Sequence, residues 1–307
     1  MAIQLIECVP NFSEGRRQEV IDEIVGCFKG KRGVYLLDHR ADTDHNRLVI
    51  SLVGAPAPIQ DALIAAAKIA CKHIDMNTHR GGHPRIGAVD VIPFTPIKGI
   101  TTEECVKLAH DFGERYYKET SIPVYFYEEA AKRPERKRLE VIRKGQYEVL
   151  KDEAKTNPDR KPDVGEASLH PTAGATVIGA RKFLVAFNVN LNTTDVSIAK
   201  KIANYVRASS GGFCHVKGIG LVLNDRGITQ VSMNLVDYEK NSLYRVLETI
   251  RMEARRWGVQ VIETEVYGMI PAGAIIESAA YYLQIADFDP AQVLELRLLD
   301  MMGEKTE

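Results

Sequence analysis

The densest run of side chains able to do chemistry is Met-Asn-Thr-His-Arg-Gly-Gly-His-Pro-Arg-Ile-Gly, residues 76–87. It holds two histidines (His79, His83), two arginines (Arg80, Arg85) and three glycines. Imidazole titrates near neutrality and shuttles protons. Guanidinium groups suit carboxylates and other planar anions. Glycine lets backbone come close to a ligand. The composition is that of proton transfer beside an anion. His79 and His83 lie four apart, the spacing of a two-histidine metal face on a helix. Gly81, Gly82 and Pro84 oppose a helix there, and no glutamate completes an HExxH pattern. A zinc-dependent hydrolase is therefore an alternative. Loop histidines bonded to backbone are the purely structural one.

Three further segments carry polar groups in suggestive places. Residues 9–15, Val-Pro-Asn-Phe-Ser-Glu-Gly, end a strand and lead into a helix. Asn11 and Ser13 there can face an anion together with backbone N–H groups, or Ser13 can simply cap the helix. Residues 42–47, Asp-Thr-Asp-His-Asn-Arg, form a polar loop before a buried strand. Arg47 either points into a site or lies at the surface. Residues 165–182 supply Ser168, a His170-Pro171 pair and small residues such as Gly174, against which a flat ring can lie; the plain reading is a linker and a strand entry.

The elements that must position these groups follow from periodicity. Residues 3–9 read as an apolar strand stopped by Pro10. Val20, Ile21, Ile24, Cys27 and Phe28 then have helical spacing, with Ser13 as cap. Residues 34–37 and 48–53 read as strands. Pro58 opens a helix with Ile59, Leu63, Ala67, Ala70 and Ile74 on one face, and 88–92 is again a strand. Thr101 and Glu104 have capping-box spacing before the next helix, and 122–127 is a further strand. Residues 151–165 are polar and rich in Pro and Gly, a linker-like loop. The second half repeats the order: strand 182–188, a helix capped by Thr193 or Thr194, a hairpin of 218–223 and 228–236, helix 243–257 and strand 259–266. Helices are expected at 272–282 and 290–302. The pattern is β-α-β-β-α-β twice, without evident identity between the halves. It predicts an α+β protein of two ferredoxin-like subdomains side by side, 1–178 and 179–307, with a ligand groove between them.

Length and composition agree. The 307 residues exceed one core of ordinary size. A net charge of -1 gives no broad attraction to nucleic acid or to a membrane surface. Five scattered cysteines with no CxxC pair argue against a disulfide framework or a cysteine zinc site. The N-terminus lacks a signal-peptide pattern, and no apolar run reaches the roughly 18 residues of a membrane span. A cytoplasmic protein acting on small molecules is expected.

Specific stretches carry a resemblance. ECVPNFSEG at 7–15, HPRIGAVDVIPF at 83–94, RKGQYE at 143–148, GARKFLVAFNVN at 179–190, QVSMNLVDYE at 230–239 and YGMIPAGAI at 267–275 run in order over nearly the whole chain. They resemble the formiminotransferase domain of formiminotransferase-cyclodeaminase. The resemblance implies a two-subdomain fold and transfer of a formimino group from N-formimino-L-glutamate to N5 of tetrahydrofolate, a late step of histidine degradation. It implies His83 as the acid–base residue, tetrahydrofolate as co-substrate and no metal. The folate segment corresponds to about 164–173, which brings in Val164, Gly165, Ser168, His170 and Pro171, with Gly174 beside them. Asn11, Ser13, Arg47, His79, Arg85 and Asn188 complete the expected binding residues. Ala173 stands where the animal enzyme has an aromatic residue, and the loop at 39–44 also differs. The acidic partner of His83 is thus open among Asp38, Asp42 and Asp44. The basic run at 132–138 reads as a solvated helix start, with a folate glutamate tail as an alternative partner. No cyclodeaminase domain follows, so a separate cyclodeaminase polypeptide is expected to act on the product, and a homodimer is expected by analogy. Two alternatives remain within reach of the same residues: N-formylglutamate as donor, and a folate-binding protein without catalysis.

Overall fold

A computed structural model describes residues 4–304. The chain divides into two compact units, one ending at Arg181 and the other beginning at Lys182.

The first unit opens with β1 (Leu5–Cys8) and β2 (Asn11–Phe12), one strand interrupted at Pro10. Residue 3, expected in this strand, lies outside the described residues. Then come α1 (Gln18–Gly26), β3 (Val34–Asp42), β4 (Arg47–Gly54), α2 (Pro56–His73) and β5 (Val89–Lys98). The strands order as β3, β4, β1/β2, β5, all antiparallel neighbours, the arrangement of a ferredoxin-like sheet. After α3 (Thr102–Thr120) and β6 (Val124–Glu128) follow α4 (Leu139–Ile142), α5 (Gln146–Thr156) and β7 (Thr176–Ala180). β7 lies parallel between β5 and β6 and extends the sheet to seven strands.

Alternation along β5 and the added strands β6 and β7 fills both faces. Ile92, Phe94, Phe126 and Ile178 join the core under α1–α3, while Val91, Tyr125, Tyr127 and Val177 pack with Ile142 and Leu150 of α4 and α5. A strand buried on both faces shows no polar alternation, which is why β7 reads from sequence as a run of small residues. The capping box before α3 forms as expected: Thr101 Oγ1 accepts from Glu104 N at 3.2 Å, and Glu104 Oε2 accepts from Thr101 N at 2.7 Å.

Several boundaries differ. α2 starts at Pro56 rather than Pro58. β3 runs on to Asp42 because residues 38–42 pair with β4 down to Asp42 opposite Arg47; polar side chains on an exposed edge leave no apolar signature. Residues 151–156, expected in a linker-like loop, finish α5, where Leu150 and Ala154 are buried. Ser13 caps nothing; α1 begins five residues later, without a side-chain cap. The basic run includes Arg136, which is buried and ion-paired with Asp163 at 2.7 Å.

The second unit contains β8 (Val185–Leu191), α6 (Val196–Val206), β9 (Val216–Leu223), β10 (Ile228–Leu235), α7 (Leu243–Arg256), β11 (Val261–Tyr267), α8 (Ala272–Leu283) and α9 (Leu294–Glu304). Its sheet has the order β11, β8, β10, β9, antiparallel throughout, a second ferredoxin-like unit. Ile202 and Val206 of α6 and Val246 and Ile250 of α7 pack on Val189, Val231 and Met233. Asp195, not Thr193 or Thr194, caps α6, accepting from Ser197 N at 2.8 Å.

Candidate functional site

In the first unit the end of β2, the starts of β4 and β5 and the turn between β3 and β4 meet at one end of the sheet. Around that meeting lies a small polar pocket of about 200 Å³, its open mouth included. Asn11, Ser13, His45, Asn46, Arg47, His79, His83, Arg85 and Asp90 contribute to its wall. The structure therefore brings together six of the residues singled out from sequence: Asn11, Ser13, Arg47, His79, His83 and Arg85.

Their roles divide sharply. His79 is buried and both its ring nitrogens are used: Nε2 lies 3.1 Å from the Asn46 carbonyl, and Nδ1 accepts from Arg85 Nε at 3.2 Å. With both nitrogens engaged, His79 cannot ligate a metal together with His83. Among the described residues no group of three or more His, Cys, Asp or Glu side chains is placed to hold a metal. Arg85 is equally committed. Its Nη1 donates to Gln146 Oε1 and Glu148 Oε2 at 2.9 and 2.8 Å, and its Nη2 donates to Glu148 Oε1 and the His79 carbonyl at 2.6 and 3.2 Å. This bonding holds the Glu148 carboxyl down at about 2. Arg85 therefore builds the wall and has no donor left for a substrate carboxylate. Ser13 Oγ donates to the Gly87 carbonyl at 2.8 Å, tying the start of the chain to the glycine that ends the His83 segment.

Arg47 is the opposite case. Its Nε is buried and has no hydrogen-bond partner among the described residues. A buried N–H left without a partner is costly unless something else supplies an acceptor. Burial first, and then the neighbouring Arg143, lower its pKa. Arg143, just past α4, bonds Asp90 through Nη2 in a short contact while its own Nε is also buried and unpartnered. Asp90 is anchored in turn, accepting from Ile86 N at 2.8 Å. Sequence reasoning passed over Arg143 and Asp90. The available signal was the lone carboxylate within the apolar run Ala-Val-Asp-Val-Ile of β5.

His83 lies partly buried among these cations. Burial, then the charges of Arg47, Arg143 and His45, push its pKa from 6.5 down to about 3. His83 is therefore held as the neutral imidazole, able to accept a proton. An anion resting against Arg47 would cancel part of the repulsion and make His83 a stronger base.

The segment expected to bind folate stands apart from this pocket. Val164 is buried and bridged to Val124, and Gly165, at φ +98°, lies against the Tyr117 ring. His170 Nδ1 accepts from Ala173 N at 3.0 Å, so its ring folds back on its own loop. The Pro171 carbonyl accepts from Asn77 Nδ2 at 2.9 Å, and Ala88 N donates to the Ala173 carbonyl at 2.8 Å. Gly174, at φ +73°, sits where a Cβ would lie 2.2 Å from the Ile86 carbonyl oxygen. Residues 170–175 thus buttress the 77–88 segment from behind. Ser168 is half-buried on the same loop. Asn188 belongs to β8 of the second unit, its Oδ1 accepting from Met233 N at 3.4 Å.

A neutral imidazole set beside unpaired guanidinium nitrogens, on the first of two ferredoxin-like units, marks a protein equipped to move a proton next to a bound anion. Comparison with known proteins names the family. Residues 5–181 match the N-terminal subdomain of the formiminotransferase domain, and residues 186–295 match the formiminotransferase domain itself. The chain belongs to the formiminotransferase domain family. It is 52% identical over 297 residues to a glutamate formimidoyltransferase of Streptococcus pyogenes serotype M1, covering 96% of this chain and 99% of that one. A glutamate formimidoyltransferase of Thermoplasma acidophilum is 46% identical, covering 96% and 98%. The mouse formimidoyltransferase-cyclodeaminase is 44% identical over 91% of this chain, which spans about half (52%) of the mouse protein.

Proposed function

We propose that this chain is a glutamate formimidoyltransferase, moving the formimino group of N-formimino-L-glutamate to N5 of tetrahydrofolate and releasing L-glutamate. The observation that carries the reading is the 52% identity, nearly end to end, with a glutamate formimidoyltransferase. The site suits it. The donor is a dicarboxylate, and Arg47 offers an unpartnered buried donor in the pocket. N5 of tetrahydrofolate attacks the amidine-like carbon, and a tetrahedral intermediate forms. N5 must lose a proton, and the departing glutamate nitrogen must gain one. His83 accepts the first. Its low basicity rises once the donor's carboxylate offsets Arg47, so the base is strengthened by the substrate it serves. Positioning two substrates together supplies further acceleration. Tetrahydrofolate is a co-substrate in this scheme, and the chemistry requires no metal. The same reading expects a cytoplasmic homodimer whose product is taken up by a cyclodeaminase.

The test is a coupled assay in which acid converts 5-formiminotetrahydrofolate to the absorbing 5,10-methenyl form. Formiminoglutamate and N-formylglutamate are run in parallel, on wild type and on His83→Ala. Product from formiminoglutamate that falls about 10²–10⁴-fold in the mutant, with KM changed only a few-fold, is expected. Turnover restricted to N-formylglutamate would replace the donor. Near wild-type kcat in His83→Ala would remove that residue from the role. Folate binding without product from either donor would mark a binding protein.

A further inference from the structure

The transfer needs a proton removed at one nitrogen and delivered at another, and the pocket holds a second imidazole. His45 stands at the tip of the β3–β4 hairpin and contributes to the same wall as His83. The two rings meet edge to face with centroids 6.3 Å apart. His45 Nδ1 lies 2.9 Å from Asp42 Oδ2, and Asp42 Oδ1 accepts the His45 backbone N–H at 2.8 Å. No protein group among the described residues bonds the other ring nitrogen, Nε2. Burial presses the Asp42 carboxyl upward, but the hydrogen bonds from His45 outweigh it and hold Asp42 below the ordinary carboxylate range.

The turn bearing His45 is clamped, although its side chains are half-exposed. Gly15 N donates to Asn46 Oδ1 at 2.9 Å, and Asn46 Nδ2 donates to the Arg80 carbonyl at 3.0 Å. Arg16 Nε reaches the Thr43 carbonyl at 2.9 Å, and Gly82 N the Asp44 carbonyl at 3.1 Å. Gly81 packs so closely that a Cβ there would lie 2.2 Å from the His45 carbonyl oxygen. The 79–83 segment and the hairpin tip therefore hold each other in register. The charged groups around the two rings are unevenly placed. Arg47 of β4, Arg143 beyond α4 and His45 itself press on His83, only partly offset by Asp42, and Asp90 of β5 is bonded to Arg143. Asp42 of β3 is bonded to His45. Two imidazoles in opposed surroundings are the arrangement from which acid and base roles separate.

We propose that His45, oriented by Asp42, is the general acid of the transfer, protonating the glutamate nitrogen as it departs while His83 takes the proton from N5. The assignment rests on the transfer reading above. As the C–N5 bond forms, the N5 proton passes to His83. As the bond from carbon to the glutamate nitrogen breaks, the electron pair stays on that nitrogen and is capped by the His45 imidazolium proton. His83 is left charged and His45 neutral, and one proton passed between the rings or through solvent restores both. The net change is one proton moved from N5 to glutamate.

The coupled assay on the full chain, across roughly pH 5–9, tests this with His45→Gln, His45→Ala and Asp42→Asn. His45→Gln is expected to lower kcat about 10²-fold or more, with KM for both substrates within about threefold. The fall of kcat on the alkaline side, which reports the acid, is expected to flatten in His45→Gln and to persist in His83→Ala. Because His45 is half-exposed, added imidazole is expected to restore His45→Ala at least tenfold, and Asp42→Asn to lose about tenfold. A His45→Gln protein with near wild-type kcat and an intact alkaline fall overturns the proposal. So does a loss that imidazole does not rescue and that leaves the pH profile unchanged, since that pattern marks a structural role. Absence of product from wild type sinks the transfer reading itself, a result distinct from full turnover by the variants.

Discussion

At the scale of single residues, the two pocket arginines that look alike in sequence behave as opposites. Arg85 is saturated by Glu148, Gln146 and His79, whereas Arg47 is half-buried with an idle, buried Nε among the described residues. Arg47→Met is expected to raise KM for the donor about 10–100-fold, the worth of a charged hydrogen bond, with melting temperature unchanged or higher. Arg85→Met is expected to lower stability by about 1–3 kcal/mol, since it strips partners from His79 and Glu148. Thermal melts and donor KM values on both variants separate the cases, and an Arg85 effect confined to KM would reverse these roles. The types of residue in this site were legible in the sequence: a histidine and arginine cluster with glycines signals acid–base work beside an anion. Which arginine is free was not, because saturation of Arg85 comes from Gln146 and Glu148, more than 60 positions away. Arg143 was hidden for the same reason, its partner Asp90 lying 53 positions earlier.

At the scale of elements, the site is held by backbone contacts that only glycine permits. A Cβ at Gly87 would lie 2.0 Å from the Ala175 carbonyl oxygen, and the Gly87 carbonyl receives the Ser13 hydroxyl. Gly87→Ala is expected to lower both the melting temperature and kcat, because the His83 segment must shift away from β7. A variant as stable and active as wild type would show that the bridge between Gly87 and Gly174 is dispensable. Most helices and the second hairpin were legible because apolar stripes and the Asn-Asp-Arg-Gly turn are local signals; the end of α5 was not, its polar outer face reading as a linker. The outer half of β3 and the doubly buried β7 were not, since one has no apolar alternation and the other no polar one. Helix starts misled for a related reason. Ser13, Thr193 and Thr194 are all good caps by type, yet Ser13 is drawn away by Gly87, and Asp195 lies nearer the first turn of α6.

At the scale of the whole molecule, the main cores of the two units share no residue among those described: one gathers around Ile6, Leu63, Phe94 and Phe112, with a second cluster on the other face of the same sheet, and the other around Val189, Ile202, Val231 and Ile250. Ile250→Ala is expected to cost about 2–5 kcal/mol, as for a fully buried isoleucine. Hydrogen exchange should then quicken across β8–β11 and α6–α7 while the seven-stranded sheet keeps its protection. Equal loss of protection in both units would instead show that they unfold as one. The paired β-α-β-β-α-β order was readable because each half carries its own apolar periodicity.

The hairpin tip has a consequence of another kind. Among the described residues β3 is an edge strand with β4 as its one neighbour, and its far end and the turn beyond it expose Asp42 and His45 without lending a side chain to the core. Replacements there cost the fold little. The wall made by His79, Arg85, Gln146 and Glu148 has no such freedom, because each change leaves a polar group stranded. Selection can therefore retune how the site handles protons at positions 42–45 while the scaffold stays fixed. Novelty in this architecture has an inexpensive place to arise, and it lies one ring away from His83.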